Sequence, residues 1–253
     1  MTVELVTIPC LTDNYAYLIH DAQTGQTALI DAPEAAPIRK ALAERGWTLN
    51  DILITHHHSD HVQALDVLRG EARVIGASTD AHRLPPLDLE VAEGSVFQTC
   101  GTEVHVLDVS GHTIGHVAFH LPSEKILFTA DSLMAMGCGR LFEGTPAQMW
   151  DSMQKLRALP GDTTVCSGHE YTAKNAEFAA SLEPENKAII SRLETVKSAR
   201  ENGHATVPSL LSVECETNPF LRADDPVLSQ ALDMADAQPA EIFAAVRSQR
   251  DRF

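Results

Sequence analysis

The sequence predicts an α/β protein in which a β-rich region is followed by a helical region. Up to about residue 170, short apolar runs containing β-branched residues dominate, as is typical of buried strands. Beyond that point Ala, Glu, Lys and Leu prevail, and apolar residues recur at helical spacing. We therefore expect two domains, residues 1–170 and residues 171–253.

The β-rich region contains a series of predicted strands. The runs that predict them are residues 3–8, 15–19, 28–31, 51–55, 104–109, 125–129 and 164–166. A helix is expected at about residues 35–45. Another should begin near residues 60–61, because Val62, Leu65 and Leu68 recur at helical spacing.

The helical region shows both helix faces and helix ends. Ile189, Leu193 and Val196 fall on one face of a helix that Asn202-Gly203 would end. Proline at the first helical position predicts two later helices, beginning near residues 226 and 239. In the last helix Arg247 and Arg250 project together, at spacing i and i+3.

Composition excludes several classes of function. The formal net charge of -16 argues against nucleic-acid binding, which needs a basic surface. No apolar run approaches the roughly 20 residues of a membrane span, and the first residues lack the basic and apolar segments of a secretory signal. Five scattered cysteines without a C-x-x-C pair are typical of a reducing compartment. We expect a cytoplasmic monomer.

The most informative motif is Thr55-His56-His57-His58-Ser59-Asp60-His61, which follows a predicted strand. Side chains alternate in extended backbone, so His56, His58 and Asp60 would share one face. The natural partition gives His56 and His58 to one metal ion, and Asp60 with His61 to a neighbouring ion. A purification tag would lie at a terminus and would not combine this carboxylate with flanking strand and helix patterns.

Three further candidate ligands lie downstream, namely His112, Asp131 and His169. Each follows an apolar stretch, so each is expected at a strand exit, like the first cluster. Imidazole suits zinc, iron and other first-row metals, and a carboxylate can bridge two of them. The set therefore predicts a dinuclear metallohydrolase.

This order of motifs resembles the metallo-β-lactamase superfamily. The resemblance covers about residues 1–170 and implies a four-layered αβ/βα sandwich with a C-terminal α-helical domain added in this chain. Carried over by position, it implies one metal ion on His56, His58 and His112, a second on Asp60, His61 and His169, and Asp131 as the bridge. True β-lactamases of the superfamily usually lack the bridging Asp, and redox di-iron members carry Glu where this chain has His58. Both departures favour another kind of hydrolase.

Three later motifs extend the resemblance. They are residues 137–145 (GCGRLFEGT), 169–172 (HEYT) and 217–222 (TNPFLR). Together with the ligands they resemble glyoxalase II, the hydroxyacylglutathione hydrolase family, which acts in methylglyoxal detoxification. The resemblance implies hydrolysis of the thioester S-D-lactoylglutathione to D-lactate and glutathione. It also implies that glutathione is bound by Arg140, Phe142, Tyr171, Arg247 and Arg250.

Three of those positions depart from the pattern of the family. Phe142 stands where relatives often have Tyr, and arginines stand at 140 and 250 where Lys is common. Phe142 keeps an aromatic wall without the hydroxyl. The arginines keep the charge but change the donor geometry.

The expected mechanism follows from the metals. Two ions about 3.5–4 Å apart share a water and lower its pKa from about 15.7 towards about 7. The resulting bridging hydroxide would attack the thioester carbonyl, with Asp60 and Asp131 orienting it. We expect two divalent transition-metal ions, with Zn²⁺ first and iron or manganese as alternatives.

Rival functions on the same fold remain open. One is a mononuclear iron persulfide dioxygenase, and another is a different hydrolase of the superfamily, such as a lactonase or nuclease. A non-enzymatic metal-binding or glutathione-binding module is the third. Metal stoichiometry and the reaction with glutathione thioesters distinguish them.

Overall fold

The computed structural model describes residues 3–253, which divide into two structural units. The first unit runs through Val109 and also includes Ile114–Ala130. The second unit comprises Ser110–Thr113 and Asp131–Phe253. Each unit has its own strands and helices.

Among its described residues, the first unit contains ten strands and three α-helices. The strands are β1 (Val3–Cys10), β2 (Asn14–Asp21), β3 (Gln26–Ile30), β4 (Asp51–Ile54), β5 (Arg73–Ala77), β6 (Leu89–Val91), β7 (Val96–Thr99), β8 (Thr102–Asp108), β9 (Val117–Leu121) and β10 (Ile126–Ala130). The helices are α1 (Ala35–Arg45), α2 (Ser59–Val62) and α3 (Leu65–Leu68).

The strands of the first unit form two layers. One sheet has the order β1-β2-β3-β4-β5-β6, antiparallel up to β3 and parallel from β3 onward. In the other layer β7, β8, β9 and β10 are antiparallel neighbours. Tyr17 of β2 and Phe128 of β10 contact each other, with ring centroids 5.6 Å apart. The inner faces of the two layers therefore share a core.

The parallel part of the first sheet explains where polar residues gather. Adjacent parallel strands end at the same edge, and Ile30 of β3 is in register with Leu53 of β4. Asp31 directly follows β3, and Thr55 directly follows β4. These two polar residues are consequently neighbours at the edge where the histidine-rich run begins.

The second unit is mainly helical. Its strands are β11 (Leu133–Met134), β12 (Gly137–Cys138), β13 (Thr164–Ser167) and β14 (Ser209–Leu210). Its helices are α4 (Pro146–Arg157), α5 (Thr172–Leu182), α6 (Lys187–Glu201), α7 (Leu211–Thr217), α8 (Pro226–Ala231) and α9 (Pro239–Arg252).

The predicted α/β class is confirmed, with mixed sheets followed by helices. All seven predicted strands are present, and α1 has the predicted bounds. Pro226 and Pro239 open α8 and α9, and the predicted end of α6 lies at Asn202. The helix expected near residue 60 is present as two short helices, α2 and α3.

Helix α4 was not predicted, although its sequence carries a start signal. Thr145 and Gln148 form a reciprocal capping box, and Pro146 occupies the first turn. The short apolar runs on either side of it are typical of strands, so periodicity alone does not predict this helix. Among residues 3–253, no helix is both long and apolar enough to cross a membrane.

Candidate metal centre

The histidine-rich run of the first unit forms a cluster at the end of β4. The ring of His56 lies 4.7 Å from that of His58 and 4.3 Å from that of His61, measured between centroids. Ligand atoms of His56 lie within 4.8 Å of those of both neighbours, and the same holds for Asp60 and His61. His56 and His61 are buried, whereas His58 and Asp60 are partly exposed. The run therefore presents several ligand atoms at one place.

A second cluster lies in the second unit. Asp131 Oδ2 is 3.5 Å from His112 Nε2 and 3.3 Å from His169 Nε2. All three side chains are buried. One oxygen of this carboxylate therefore lies close to both imidazoles.

Two glycines, Gly111 and Gly139, lie where the chain is packed closely around His112. A side chain at Gly111 would meet Met149 Sδ at 2.4 Å, and the φ of +149° disfavours other residues there. A side chain at Gly139 would meet Asp131 O at 2.0 Å and His112 Nδ1 at 2.7 Å. The Gly-rich motif around residue 139 is therefore required for the close approach of this loop.

Hydrogen bonds at Nδ1 orient the histidines of both clusters. His61 Nδ1 lies 2.8 Å from Asp31 Oδ2, and His112 Nδ1 lies 2.7 Å from the carbonyl oxygen of Arg140. A carboxylate and a carbonyl only accept, so both rings carry their proton on Nδ1. Their Nε2 atoms keep a lone pair for a metal ion. The chemistry of these donor sets fits divalent transition metals.

Two residues that support the first cluster were missed in the sequence. Asp31, 2% exposed, accepts hydrogen bonds from His61 and from Thr55. Asn14 Nδ2 donates to Asp60 Oδ2 at 3.0 Å and to Asp60 O at 3.2 Å. Asp31 did carry a signal, since it is a lone acidic residue after an apolar strand.

His57 lies between the candidate ligands His56 and His58 in the sequence, but its side chain contacts Asp80. Its Nδ1 lies 3.0 Å from Oδ2 of the buried Asp80, which also binds Arg83. A side chain at Gly115 would meet Asp80 Oδ1 at 2.0 Å, so glycine is needed beside this carboxylate. His57 therefore supports the shape of the run rather than adding a ligand atom.

The aromatic residues predicted for substrate binding lie beside histidines of the second cluster. Phe142 is 61% exposed and meets His112 edge to face, with centroids 5.3 Å apart. Tyr171 is 37% exposed and stacks on His169 at 4.7 Å. Both rings thus offer accessible surface next to candidate ligands.

The predicted arginines differ in their availability. The Arg140 side chain is 61% exposed, and its Nε lies 3.5 Å from Asp251 Oδ1. Arg247 is buried and donates to Cys138 O at 2.9 Å and to Asp251 Oδ1 at 3.0 Å. Arg250 donates to Asn175 Oδ1 at 3.2 Å. Asp251 therefore lies between Arg140 and Arg247, and Arg247 has a structural role of its own.

Burial and nearby charges shift the pKa values of Arg250 and Cys138 in the second unit. Burial, followed by the nearby charge of Arg247, lowers the pKa of Arg250. Burial raises the pKa of Cys138 to about 11, so this thiol is protonated at neutral pH. Arg140 and Arg247 both lie beside Asp251, and Arg250 is close enough to be influenced by all three charges, so positive charge is concentrated here.

The chain matches two family models that together cover nearly all of it. Residues 11–169 match the metallo-beta-lactamase superfamily, and residues 170–253 match the hydroxyacylglutathione hydrolase C-terminus.

Two hydroxyacylglutathione hydrolases match this chain over its full length. The hydroxyacylglutathione hydrolase of Ruegeria pomeroyi is 61% identical, and one from Cereibacter sphaeroides is 58% identical. Both alignments cover 100% of this chain and 100% of the relative.

Solved structures support the fold class. The crystal structure of BLEG-1 B3 metallo-beta-lactamase has a TM-score of 0.67 at 20% identity, covering 86% of this chain and 99% of that chain. At this identity the likeness shows the fold alone. Taken with the full-length relatives and both family models, the chain belongs to the hydroxyacylglutathione hydrolase family of the metallo-beta-lactamase superfamily.

Proposed function

We propose that the protein is a metal-dependent thioesterase that hydrolyses S-D-lactoylglutathione and related 2-hydroxyacylglutathiones to glutathione and the free acid. The observation that carries this proposal is the full-length match, at 61% identity, to a hydroxyacylglutathione hydrolase. The match of residues 170–253 to the C-terminus of that family favours the hydrolase over the dioxygenase alternative. We also propose residues 1–170 as the catalytic domain and residues 171–253 as the glutathione-binding domain.

We propose the metal ligands that the family resemblance implies. The first metal ion would be held by His56, His58 and His112, the second by Asp60, His61 and His169, and Asp131 would bridge them. Support comes from the Nδ1 hydrogen bonds of His61 and His112, which place the ring proton on Nδ1 and orient each ring for metal binding through Nε2. We propose Zn²⁺ as the metal, because imidazole and carboxylate ligands suit it.

Bound there, the two ions would supply Lewis-acid polarisation of the thioester carbonyl and a lowered pKa for water. The residues of the chain contribute orientation. Asp60 and Asp131 would accept hydrogen bonds from the attacking water and direct it towards the carbonyl carbon. Asn14 holds the Asp60 carboxylate through its Nδ2 hydrogen bond, which restricts the direction of that acceptor.

Substrate binding is proposed for Arg140, Phe142, Tyr171, Arg247 and Arg250. Arg140 is mostly exposed and suits a glutathione carboxylate, which a guanidinium binds with charge-assisted hydrogen bonds. Phe142 and Tyr171 offer exposed ring surface beside His112 and His169. Contacts to glutathione, far from the reacting bond, would position the thioester for attack.

The setting in the cell is also a proposal. All five cysteines are free thiols, and four of them are buried, which suits a reducing compartment. We propose a cytoplasmic monomer that removes the glutathione thioester formed during methylglyoxal detoxification.

The test is a hydrolysis assay with S-D-lactoylglutathione on the purified full chain. Released glutathione is measured with a thiol reagent, and metal content is measured by elemental analysis of the same sample. We expect thiol release together with two equivalents of metal per chain. A metal-reconstituted protein that is inert towards glutathione thioesters would contradict the proposal.

A second assay on the same sample distinguishes the hydrolase from the persulfide dioxygenase. Glutathione persulfide is added while oxygen consumption is recorded. We expect no consumption above the uncatalysed rate. Rapid consumption by a protein that binds one iron per chain would instead support the persulfide dioxygenase.

A further inference from the structure

A buried hydrogen-bond network joins two histidines of the first cluster. Thr55 Oγ1 donates to Asp31 Oδ2 at 2.8 Å and lies 3.0 Å from His56 Nδ1. The same Asp31 oxygen lies 2.8 Å from His61 Nδ1. Thr55 and His56 are fully buried, and Asp31 and His61 are at most 2% exposed. Water therefore does not compete strongly for these bonds.

The direction of each proton follows from what each group can donate. The Asp31 carboxylate only accepts, so the Thr55 hydroxyl proton points to Asp31. The hydroxyl oxygen then has only lone pairs left for His56. The proton shared between Thr55 and His56 must consequently belong to His56 Nδ1, which leaves a lone pair on Nε2.

We propose that Thr55 is a positioning residue that sets the tautomer and ring orientation of His56 for metal binding. Asp31 orients His61 through a direct hydrogen bond. It orients His56 indirectly, through the Thr55 hydroxyl. In this way one carboxylate prepares a ligand for each of the two proposed ions. The role of His56 as a ligand rests on the proposed function, whereas its tautomer does not.

Two substitutions separate the parts of this network. Thr55→Val keeps the shape of the side chain but removes the hydroxyl, so His56 Nδ1 loses its acceptor while the His61 bond to Asp31 stays. Thr55→Ser keeps the hydroxyl and should rescue. Asp31→Asn weakens the acceptor for His61 and for Thr55 together.

The first measurement is ¹⁵N NMR of the histidine rings in the full chain, both zinc-loaded and after chelation. In the wild type and in Thr55→Ser, the His56 ring proton should be on Nδ1 and in slow exchange. In Thr55→Val it should exchange rapidly or move to Nε2. A wild-type chelated chain with its His56 proton on Nε2 would overturn the inference, as would an unchanged spectrum of Thr55→Val.

The second measurement is zinc affinity by chelator competition, followed at the His56 and His61 ring signals. Thr55→Val should weaken zinc binding at His56 by about 10- to 100-fold, the range for lost outer-sphere partners, and much less at His61. Asp31→Asn should weaken binding at both. Equal weakening at both rings by Thr55→Val would mean a general disturbance and would refute the specific role of Thr55.

Thr99→Val is the matched control. Thr99 is also a buried threonine that donates to a buried aspartate, Asp51. Asp51 opens the same strand, β4, that Thr55 follows. This variant loses a comparable bond at the opposite end of the strand, so zinc binding and the His56 spectrum should be unchanged. If Thr99→Val weakens zinc binding as much as Thr55→Val, the effect is generic and the inference fails.

The outcomes also distinguish this inference from the proposed function. A wild-type chain that binds no zinc and hydrolyses no thioester refutes the function, while the His56 tautomer can still be measured in the chelated chain. A wild-type chain that is active and holds two zinc ions, with Thr55→Val identical to it in both measurements, refutes only the role of Thr55.

Discussion

His116 stacks face to face on His56, with ring centroids 4.5 Å apart and ring planes inclined by 14°. Both rings are fully buried. The adjoining backbone is tied together as well, because Val117 N donates to Thr55 O at 3.0 Å. His56 is therefore restrained by stacking on its face and by the Thr55 hydroxyl at its Nδ1 edge.

This stacking leads to a prediction for His116. His116→Ala should weaken zinc binding by about tenfold, because His56 gains rotational freedom, whereas His116→Phe should keep most of the affinity. Chelator competition measures the difference. His120→Ala is a suitable control, since His120 is a buried histidine of β9 whose ring meets His105 instead. Equal losses for the Ala and Phe variants would show that stacking is not the cause.

Removal of the proposed bridging carboxylate should be severe. Asp131→Ala deletes the oxygen that lies within 3.5 Å of both His112 Nε2 and His169 Nε2. We expect loss of one metal ion and a fall in kcat of at least about 10- to 100-fold, which even outer-sphere substitutions produce. Elemental analysis and a thioester assay test this, with the exposed Asp236→Ala as control. Full metal content with normal turnover would contradict the assignment.

Arg140 and Arg247 should differ in their effect on stability. Both Ala variants should raise KM for glutathione thioesters, by about tenfold for a lost contact worth ~1.4 kcal/mol. Arg247→Ala should also cost about 2 kcal/mol in free energy of unfolding, since it breaks a buried charge-assisted hydrogen bond to Cys138 O and a partly exposed one to Asp251. Arg140 is mostly exposed, so its Ala variant should unfold like the wild type. Denaturant titration measures the free energy of unfolding, and steady-state kinetics measures KM. An unchanged KM in Arg247→Ala would mean that this arginine is only structural.

Stability should fall in alkaline solution, in part through Cys100. Burial raises the pKa of this thiol from 9.0 to about 11. Between these values the unfolded chain releases a proton that the folded chain retains, so the free energy of unfolding decreases as pH rises. The contribution is present below pH 9 and falls by about 1.4 kcal/mol per pH unit through that window. Cys100→Ala should therefore show a shallower decline from pH 9 to pH 11, measured by denaturant titration. Parallel curves for the two proteins would contradict the pKa of this thiol.

Several features of the fold could be predicted because they depend on short stretches of the chain. Strand β4 is a continuous apolar run, and α9 begins with a proline at its first position. Periodicity does not predict helix α4, although its capping box is equally local, because the apolar runs on either side are typical of strands.

The supporting groups of the candidate site were harder to predict. Asp31 lies 24 residues before Thr55 and 30 residues before His61, so no spacing rule connects them. Their contact depends on β3 and β4 being parallel neighbours in register. Likewise, the resemblance implies a role for Arg247 in glutathione binding, whereas its burial against Cys138 follows only from the packing of the second unit.

Residue type and periodicity alone identify the candidate ligands and the order of strands and helices, because these are properties of neighbouring residues in the chain. The sequence does not reveal which hydrogen bond orients each imidazole, or which arginine stays exposed. Those properties come from folding, since sheet order and burial bring distant groups within hydrogen-bond distance and remove competing water.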